Sequence, residues 1–278
     1  MAALRCGRIG YTNDLPIFAA FDEGVLQFPG TLYSGVPTEL NAKLIDAELD
    51  LSPISSAAFA KAAGQLVLLP ELCIGARDDV VSVVLVSRTP LVALDGQTIV
   101  LTDESASGVC LLRVLLERRY CVRARYERSH DPLDAARAGK PALLIGDHAI
   151  DARFLFEDDH VYDLGRLWHE WTGEDIVFAV WAARAESVKT RPAEVAACLR
   201  ALTDGRAWGL AHIGEIAARA QDVKPRPPGF YESYYRTLKF TLDAAAERGL
   251  AAFWKELAAV GEIDRVPEIA FEAASVAR

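Results

Sequence analysis

The sequence has no paired cysteine motif. Its five cysteines, Cys6, Cys73, Cys110, Cys121 and Cys198, are odd in number and scattered, and no C-x-x-C occurs. That excludes a zinc ribbon or a thioredoxin-like centre and leaves plain reduced thiols, mostly buried. A basic surplus is also missing, since 30 Lys and Arg stand against 39 Asp and Glu, a net charge of -9. Nucleic acid is therefore not expected as a partner. An anionic small molecule stays open, because backbone N–H groups at helix starts can hold one without basic side chains. The longest apolar runs, near Val80–Val86 and Ile176–Ala183, fall far short of the about 18 residues that span a bilayer. The N-terminal residues hold no apolar core of about 7–15 residues before a small-residue cleavage site. A soluble, cytosolic protein with no membrane partner is expected.

Several site signatures are absent too. Gly7–Gly10 lacks the third glycine of a dinucleotide fingerprint, and there is no G-x-x-x-x-G-K-[ST] loop. No G-x-S-x-G nucleophile elbow occurs. His130, His148, His160, His169 and His212 do not fall in a metal-binding pattern such as H-E-x-x-H, so no metal site is expected.

What remains is an ordinary globular composition: 278 residues, 51% hydrophobic and 25% charged. The length suits one large domain or two lobes of roughly 100–150 residues. Strands are predicted at Ile9–Tyr11, Thr31–Val36, Leu49–Ile54, Leu66–Leu69, Val80–Val86, Ile99–Thr102 and Ala142–Ile145. Helices are predicted after Pro37-Thr38, over Ala57–Ala63 behind Ser55-Ser56, and over Val109–Arg119 behind Ser105–Ser107. The run at Val80–Val86 does not alternate, which implies burial on both faces. Beyond residue 185 the pattern is helical only: Pro192–Gln221, a breaker at Pro225-Arg226-Pro227-Pro228-Gly229, then Tyr231–Leu257. Strand–helix alternation predicts parallel α/β sheets. Two α/β groups flank Val80–Ser87, so this run and Val177–Ala183 are candidate crossovers between two lobes, with the tail packing back on the first. The ligand site is then expected in the cleft, at the carboxyl ends of strands.

Small polar residues gather at those strand ends. Asn13 follows the first strand, and Ser55 and Ser56 follow the third. Thr102, Ser105 and Ser107 follow the strand at 99, and Gly146-Asp147-His148 closes the strand at 142. Ser82 sits inside an apolar run, where a hydroxyl needs a local reason. Hydroxyls and helix N-termini suit a carboxylate, each exposed end favouring an anion by roughly 0.3–1 kcal/mol. The same residue types are ordinary caps and turn formers, so each alone also has a structural explanation. Trp168, Trp171, Phe178 and Trp181 either line a ring-binding cleft or pack the core.

Nine segments, in order, resemble one family. They are Gly-Arg-Ile-Gly-Tyr-Thr-Asn-Asp-Leu-Pro-Ile-Phe (7–18), Gly-Val-Pro-Thr-Glu-Leu-Asn (35–41), Asp-Leu-Ser-Pro-Ile-Ser-Ser (50–56) and Ser-Val-Val-Leu-Val-Ser (82–87). Leu-Leu-Arg-Val-Leu-Leu (111–116), Ala-Leu-Leu-Ile-Gly-Asp (142–147), Asp-Leu-Gly-Arg-Leu-Trp (163–168), Trp-Thr-Gly (171–173) and Val-Phe-Ala-Val-Trp-Ala-Ala-Arg (177–184) complete the series. Together they resemble the chorismate dehydratases of the futalosine route to menaquinone. The resemblance implies an α/β, two-lobed fold like the type II periplasmic binding proteins, with a helical C-terminal tail on the first lobe. The lobes are expected at 1–87 and 88–180, with the chain returning to the first lobe over 181–278. The implied reaction is loss of water from chorismate to give 3-[(1-carboxyvinyl)oxy]benzoate, with no cofactor. Asn13 is expected to act in catalysis. Ser55, Ser56, Ser82, Thr102, Ser105, Ser107, Gly146 and Asp147 are expected to bind substrate. The proton acceptor stays open between a substrate carboxylate and Asp147 or His148. A fixed Asp147 anion would repel a dianion by roughly 4 kcal/mol at ~4 Å with an effective dielectric near 20, which favours the substrate carboxylate. Alternatives are a sister enzyme forming 1,4-dihydroxy-6-naphthoate and a non-catalytic small-carboxylate-binding module. Three departures from the family pattern are Thr12 for leucine, Asp78-Asp79 where glycine is usual, and Glu174-Asp175 for Leu-Pro.

Overall fold

Apolar strands and capped helices sort into two sheets in the computed structural model, which describes residues 3–156 and 158–271. The first segment runs β1 (Arg5–Ile9), α1 (Leu15–Asp22), β2 (Thr31–Gly35), α2 (Pro37–Ile45), β3 (Leu51–Ser55), α3 (Ser56–Ala62) and β4 (Leu66–Ala76). The second runs β5 (Val83–Ser87), β6 (Thr98–Thr102), α4 (Ser107–Val114), β7 (Arg125–Ser129), α5 (Pro132–Arg137), β8 (Ala142–Ile145), α6 (Gly146–Leu155), β9 (His160–Asp163) and α7 (Leu164–Thr172). The chain returns through β10 (Ile176–Arg184), followed by α8 (Ala185–Thr190), α9 (Pro192–Ala211), α10 (Ile213–Val223), α11 (Phe230–Thr237), β11 (Leu238–Lys239) and α12 (Ala244–Ala259). Prolines open α2, α5 and α9, where a missing N–H costs nothing. Ser55, Asp131, Asp163 and Asp243 cap α3, α5, α7 and α12 with their side chains. No described helix is long and apolar enough to cross a membrane.

The first sheet has the strand order β11-β4-β10-β3-β1-β2, and the second β7-β6-β8-β5-β9. All five residues of β5 are buried. One face of its sheet contributes Leu85, Ile99 and Leu101 to the main core, and the other packs Val84, Val86, Val100 and Leu144 on α5 and α6.

The lobe boundaries differ from those expected. The strand β5 pairs only with β8 and β9, so residues 83–87 belong to the second sheet. Strand β10 pairs with β3 and β4, so residues 176–180 already belong to the first. The crossings therefore fall between Ala76 and Val83, over the start of the first apolar run, and between Asp163 and Ile176, ahead of the second. The run at Val80–Val86 is interrupted: Val81 has a φ of 66° and Ser82 N donates to Val80 O at 2.7 Å, which turns the chain before β5. Nor are the sheets wholly parallel, because β5 and β10 run antiparallel to their neighbours. These two strands directly follow the crossings, so each enters its sheet from the opposite end. Asp163 ties both crossings together. Its carboxylate accepts from Val80 N (3.1 Å) and Val81 N (2.7 Å) and caps α7 through Gly165 N (2.9 Å) and Arg166 N (3.2 Å).

Other differences are local. The first strand starts four residues before the predicted one and ends two before it, at Arg5–Ile9, because Arg5 and Arg8 hide its pattern and pair with Asp50 and Asp22. The two predicted tail helices each break, at His212 and at β11. The tail packs mainly on the first lobe. A Cβ at Gly209 of α9 would come within 1.9 Å of Pro16 O, so only glycine permits that approach to α1. Trp254 of α12 donates to Ser56 O at 2.9 Å and stacks on Phe59 at 5.6 Å. The same helix reaches the second lobe through Glu256, which accepts from Arg118 at 3.0 Å.

Candidate active site in the interlobe cleft

Carboxyl ends of strands from both sheets meet around a cavity of about 640 Å³, counting space open to solvent. The first lobe supplies Tyr11, Asn13, Asn41, Ser55 and Phe178; the second supplies Ser105, Ser107, Ile145 and Gly146; Ser82 lies at the crossing. Six of the nine expected site residues thus line one cavity: Asn13, Ser55, Ser82, Ser105, Ser107 and Gly146. Three do not. Ser56 is fully buried behind the lining, and its hydroxyl donates to Val177 O at 2.6 Å. Thr102 is buried, and its Oγ1 accepts from Glu104 N at 3.1 Å, holding the β6–α4 turn. Asp147 stands one residue beyond the lining on α6, and His148 is exposed.

The hydroxyl protons of Ser55, Ser56 and Ser107 at the cleft floor are committed. Ser107 Oγ lies 2.7 Å from Phe178 O, to which it donates, and 2.7 Å from Ser55 Oγ. Its single proton being used, it accepts from Ser55 and from Ala57 N at 3.2 Å. Ser55 Oγ in turn accepts from Ala58 N at 3.3 Å, and Ser105 Oγ from Gly108 N at 3.0 Å. Strand β10 is irregular here, with a register shift against β4 between Val177 and Ala179. Its carbonyls at Val177 and Phe178 turn to these serines. The expected hydroxyl cluster therefore exists and joins the starts of α3 and α4 across the lobes.

The rim is different. Asn13 sits in a short 3-10 turn, Thr12–Asp14, between β1 and α1, and its buried amide oxygen has no hydrogen-bond partner. Beside it Asp14 is fully buried, and burial pushes its carboxyl well above the usual range against the pull of Arg8 at 3.7 Å. Tyr11 donates its hydroxyl across the cleft to Glu104 of the second lobe. Burial, then that bond, raises the Tyr11 phenol above its ordinary value. The Tyr11 ring faces Gly146, whose φ of 56° suits glycine; a Cβ there would meet the ring at 3.5 Å, an ordinary contact.

Tyr11 and Asn41 are polar cleft residues that sequence reasoning did not single out as site residues. Asn41 Oδ1 accepts from Ser55 N at 3.0 Å. A signal for it exists, since Asn41 is a polar residue beside Leu40 on the buried face of α2. Of the four aromatic candidates, Phe178 lines the cavity, while Trp168 and Trp181 are fully buried in the core. Among the described residues no group of three or more His, Cys, Asp or Glu could hold a metal ion. Cys6, Cys73, Cys110 and Cys198 are buried free thiols.

Known proteins share both the sequence and the shape. A chorismate dehydratase of Thermus thermophilus is 33% identical over 240 residues, covering 80% of this chain and 84% of that protein. A 1,4-dihydroxy-6-naphtoate synthase of the same organism is 27% identical over 272 residues, covering 94% and 96%. A solved protein from Archaeoglobus fulgidus superposes with a TM-score of 0.76 at 17% identity, covering 94% of this chain and 98% of its own. An alkanesulfonate-binding protein of Xanthomonas axonopodis pv. citri superposes with a TM-score of 0.68 at 17% identity, covering 98% and 96%. The fold thus resembles that of the type II periplasmic binding proteins, α/β and two-lobed, with a cleft between the sheets. The model of the menaquinone biosynthesis family matches residues 4–259. With the cleft in place and nearly the whole chain matched, this protein belongs to the menaquinone biosynthesis family.

Proposed function

We propose that this chain removes water from chorismate to give 3-[(1-carboxyvinyl)oxy]benzoate, with the interlobe cleft as the reaction site. The observation that carries it is the 33% identity to a chorismate dehydratase over 240 residues. Apolar side chains with a few converging hydroxyls and amides line the cavity, the usual character of a small-molecule site.

The chemistry asks little of the protein beyond binding and orientation. The C–H bond at the ether-bearing ring carbon breaks, and its electron pair becomes a ring double bond. The neighbouring C–O bond breaks, and the hydroxide leaves with a proton as water. Aromatisation drives the step, and no net oxidation or reduction occurs. What must be supplied is a proton acceptor and a fixed geometry. Asn13, with its buried oxygen unpartnered, is suited to orient the reacting groups. Asp147 stands outside the cavity lining, and this supports a substrate carboxylate as proton acceptor. Ser55, Ser82, Ser105 and Ser107 shape the floor around the substrate.

Incubation of the pure protein with chorismate tests this directly. Loss of the cyclohexadiene absorbance should accompany a product lighter by one water. A protein that leaves chorismate unchanged refutes the proposal. The second relative matches a larger share of the chain, so a synthase of 1,4-dihydroxy-6-naphthoate, which would leave chorismate unchanged, is the competing reading.

A further inference from the structure

The segment between α10 and α11, Pro225-Arg226-Pro227-Pro228-Gly229, takes no part in lining the cleft, yet its arginine side chain is only 6% exposed. Arg226 leaves the tail and enters the second lobe at the start of α6. Its Nη1 pairs with Asp151, and its Nη2 lies 3.4 Å from Asp147 O and 3.8 Å from Asp147 Oδ1. Lys224 meets the other oxygen of Asp151 at 2.9 Å. The backbone of Arg226 is clasped by one side-chain amide: Gln221 Nε2 donates to Arg226 O at 2.7 Å, and Arg226 N donates to Gln221 Oε1 at 3.1 Å. Flanking prolines fix φ at Pro225 and Pro227, which stiffens the segment.

Asp147 directly follows Gly146, which lines the cavity. Its Oδ1 is buried without a hydrogen-bond partner, as is Arg226 Nε. The guanidinium therefore faces the carboxylate as a charge rather than closing a direct hydrogen bond to it. Two acids, Asp147 and Asp151, stand against two cations, Lys224 and Arg226, so the cluster is neutral. Without Arg226 a net negative charge would lie beside the cleft wall.

We propose that Arg226 is a positioning residue for the cleft: it holds the start of α6 against the site and offsets the Asp147 charge so that a dicarboxylate can bind there. This rests on the dicarboxylate substrate proposed above. It also gives the proline-rich break in the tail a purpose, since it carries a first-lobe cation onto the second lobe.

The test compares the wild type with Arg226→Met, Arg226→Met/Asp147→Asn and Arg226→Met/Asp151→Asn, reading KM and kcat for chorismate and the melting temperature of each. Arg226→Met should raise KM by about 10- to 100-fold. The change in kcat should be smaller, about threefold at most. Adding Asp147→Asn should recover most of the KM, and adding Asp151→Asn much less. An unchanged KM in Arg226→Met, no recovery with Asp147→Asn, or equal recovery with both would overturn the proposal. If Arg226→Met does not fold, Arg226→Lys keeps the charge without the fork. Its KM should rise only a few-fold, by about 2- to 5-fold, and a rise as large as about 100-fold overturns the charge argument. If the wild type does not act on chorismate, the proposed function falls and melting temperature decides. Asp147→Asn should then restore part of the stability lost in Arg226→Met, and its failure to do so overturns the pairing.

Discussion

The floor and the rim of the cleft are built from similar polar residues and do opposite things. At the floor, Ser55, Ser56 and Ser107 direct their protons to one another and to the β10 carbonyls at Val177 and Phe178. At the rim, Asn13 Oδ1 is buried and unpartnered, and Tyr11 reaches over the opening to Glu104. A buried polar group with its bonds made contributes structure. One left open is costly to the fold and available to a ligand. The serines therefore set the distance between lobes, and Asn13 is the group in position to act on what lies between them.

The largest effect that separates the two regions is expected at Asn13. Asn13→Ala should lower kcat by on the order of 10²–10³, the usual loss for one oriented hydrogen-bonding group. Its melting temperature should hold or rise, because no protein partner to Oδ1 is lost and a buried unpaired oxygen is removed. Steady-state kinetics with thermal unfolding checks both. Turnover close to wild type would move Asn13 from the rim chemistry to the floor scaffold.

Ser107→Ala should show the reverse. It removes the donor to Phe178 O and the acceptor for Ser55 and Ala57, at a cost of about 1–3 kcal/mol in stability. Denaturant unfolding should show this as a lower midpoint with an unchanged slope. A neutral Ser107→Ala would show that the floor bonds are not stabilising.

Tyr11→Phe is smaller still. It breaks the link to Glu104 and leaves the ring against Gly146, so KM should rise several-fold, about 3- to 10-fold. Glu104→Gln should do no more than this. A stopped-flow measurement of ligand association and release would show whether the change lies in closing or in holding the lobes.

The smallest effect concerns Asp14. Burial raises its folded carboxyl pKa above the unfolded value. The folded state then binds the proton more tightly, so this residue costs stability as pH rises from the ordinary carboxylate range through the folded pKa. Asp14→Asn should therefore be stabilised relative to wild type at pH 8 and lose that advantage at acid pH. Asp50 has the opposite sign: burial raises its carboxyl, but the hydrogen bonds from Arg5 outweigh this and lower it, so its contribution is lost as pH falls through the folded value. Melting temperatures across pH for the two Asn variants would separate the signs.

Much of the cleft was legible because its residues announce themselves twice. Ser55 and Ser107 are helix starts by residue type, and Asn13 follows a strand. The floor serines converge because both helices begin at carboxyl ends of strands, a position that alternation alone implies. Ser56 has the same signature and faces elsewhere, since one residue of offset at a helix start turns a side chain from the cavity to the strand behind it; Thr102 ends β6 well before α4 and holds the turn between them instead. Asn41 was missed because a helix face reads as packing, and Tyr11 because a strand end reads as core.

Local chemistry settled the helix starts, the unbroken burial of β5, the absence of a metal-binding spacing and the helical character of the tail. These depend on neighbours within a few residues, where sterics, capping and periodicity act directly. Tertiary structure alone decided that β5 and β10 enter their sheets antiparallel, that the chain crosses between lobes before each of them, and that Asp163 fastens both crossings. It alone brought Arg226 to Asp147, 79 positions apart in the chain. Such pairings depend on where whole lobes come to rest, and the free energy that selects them is shared among many distant contacts rather than carried by any one stretch of sequence.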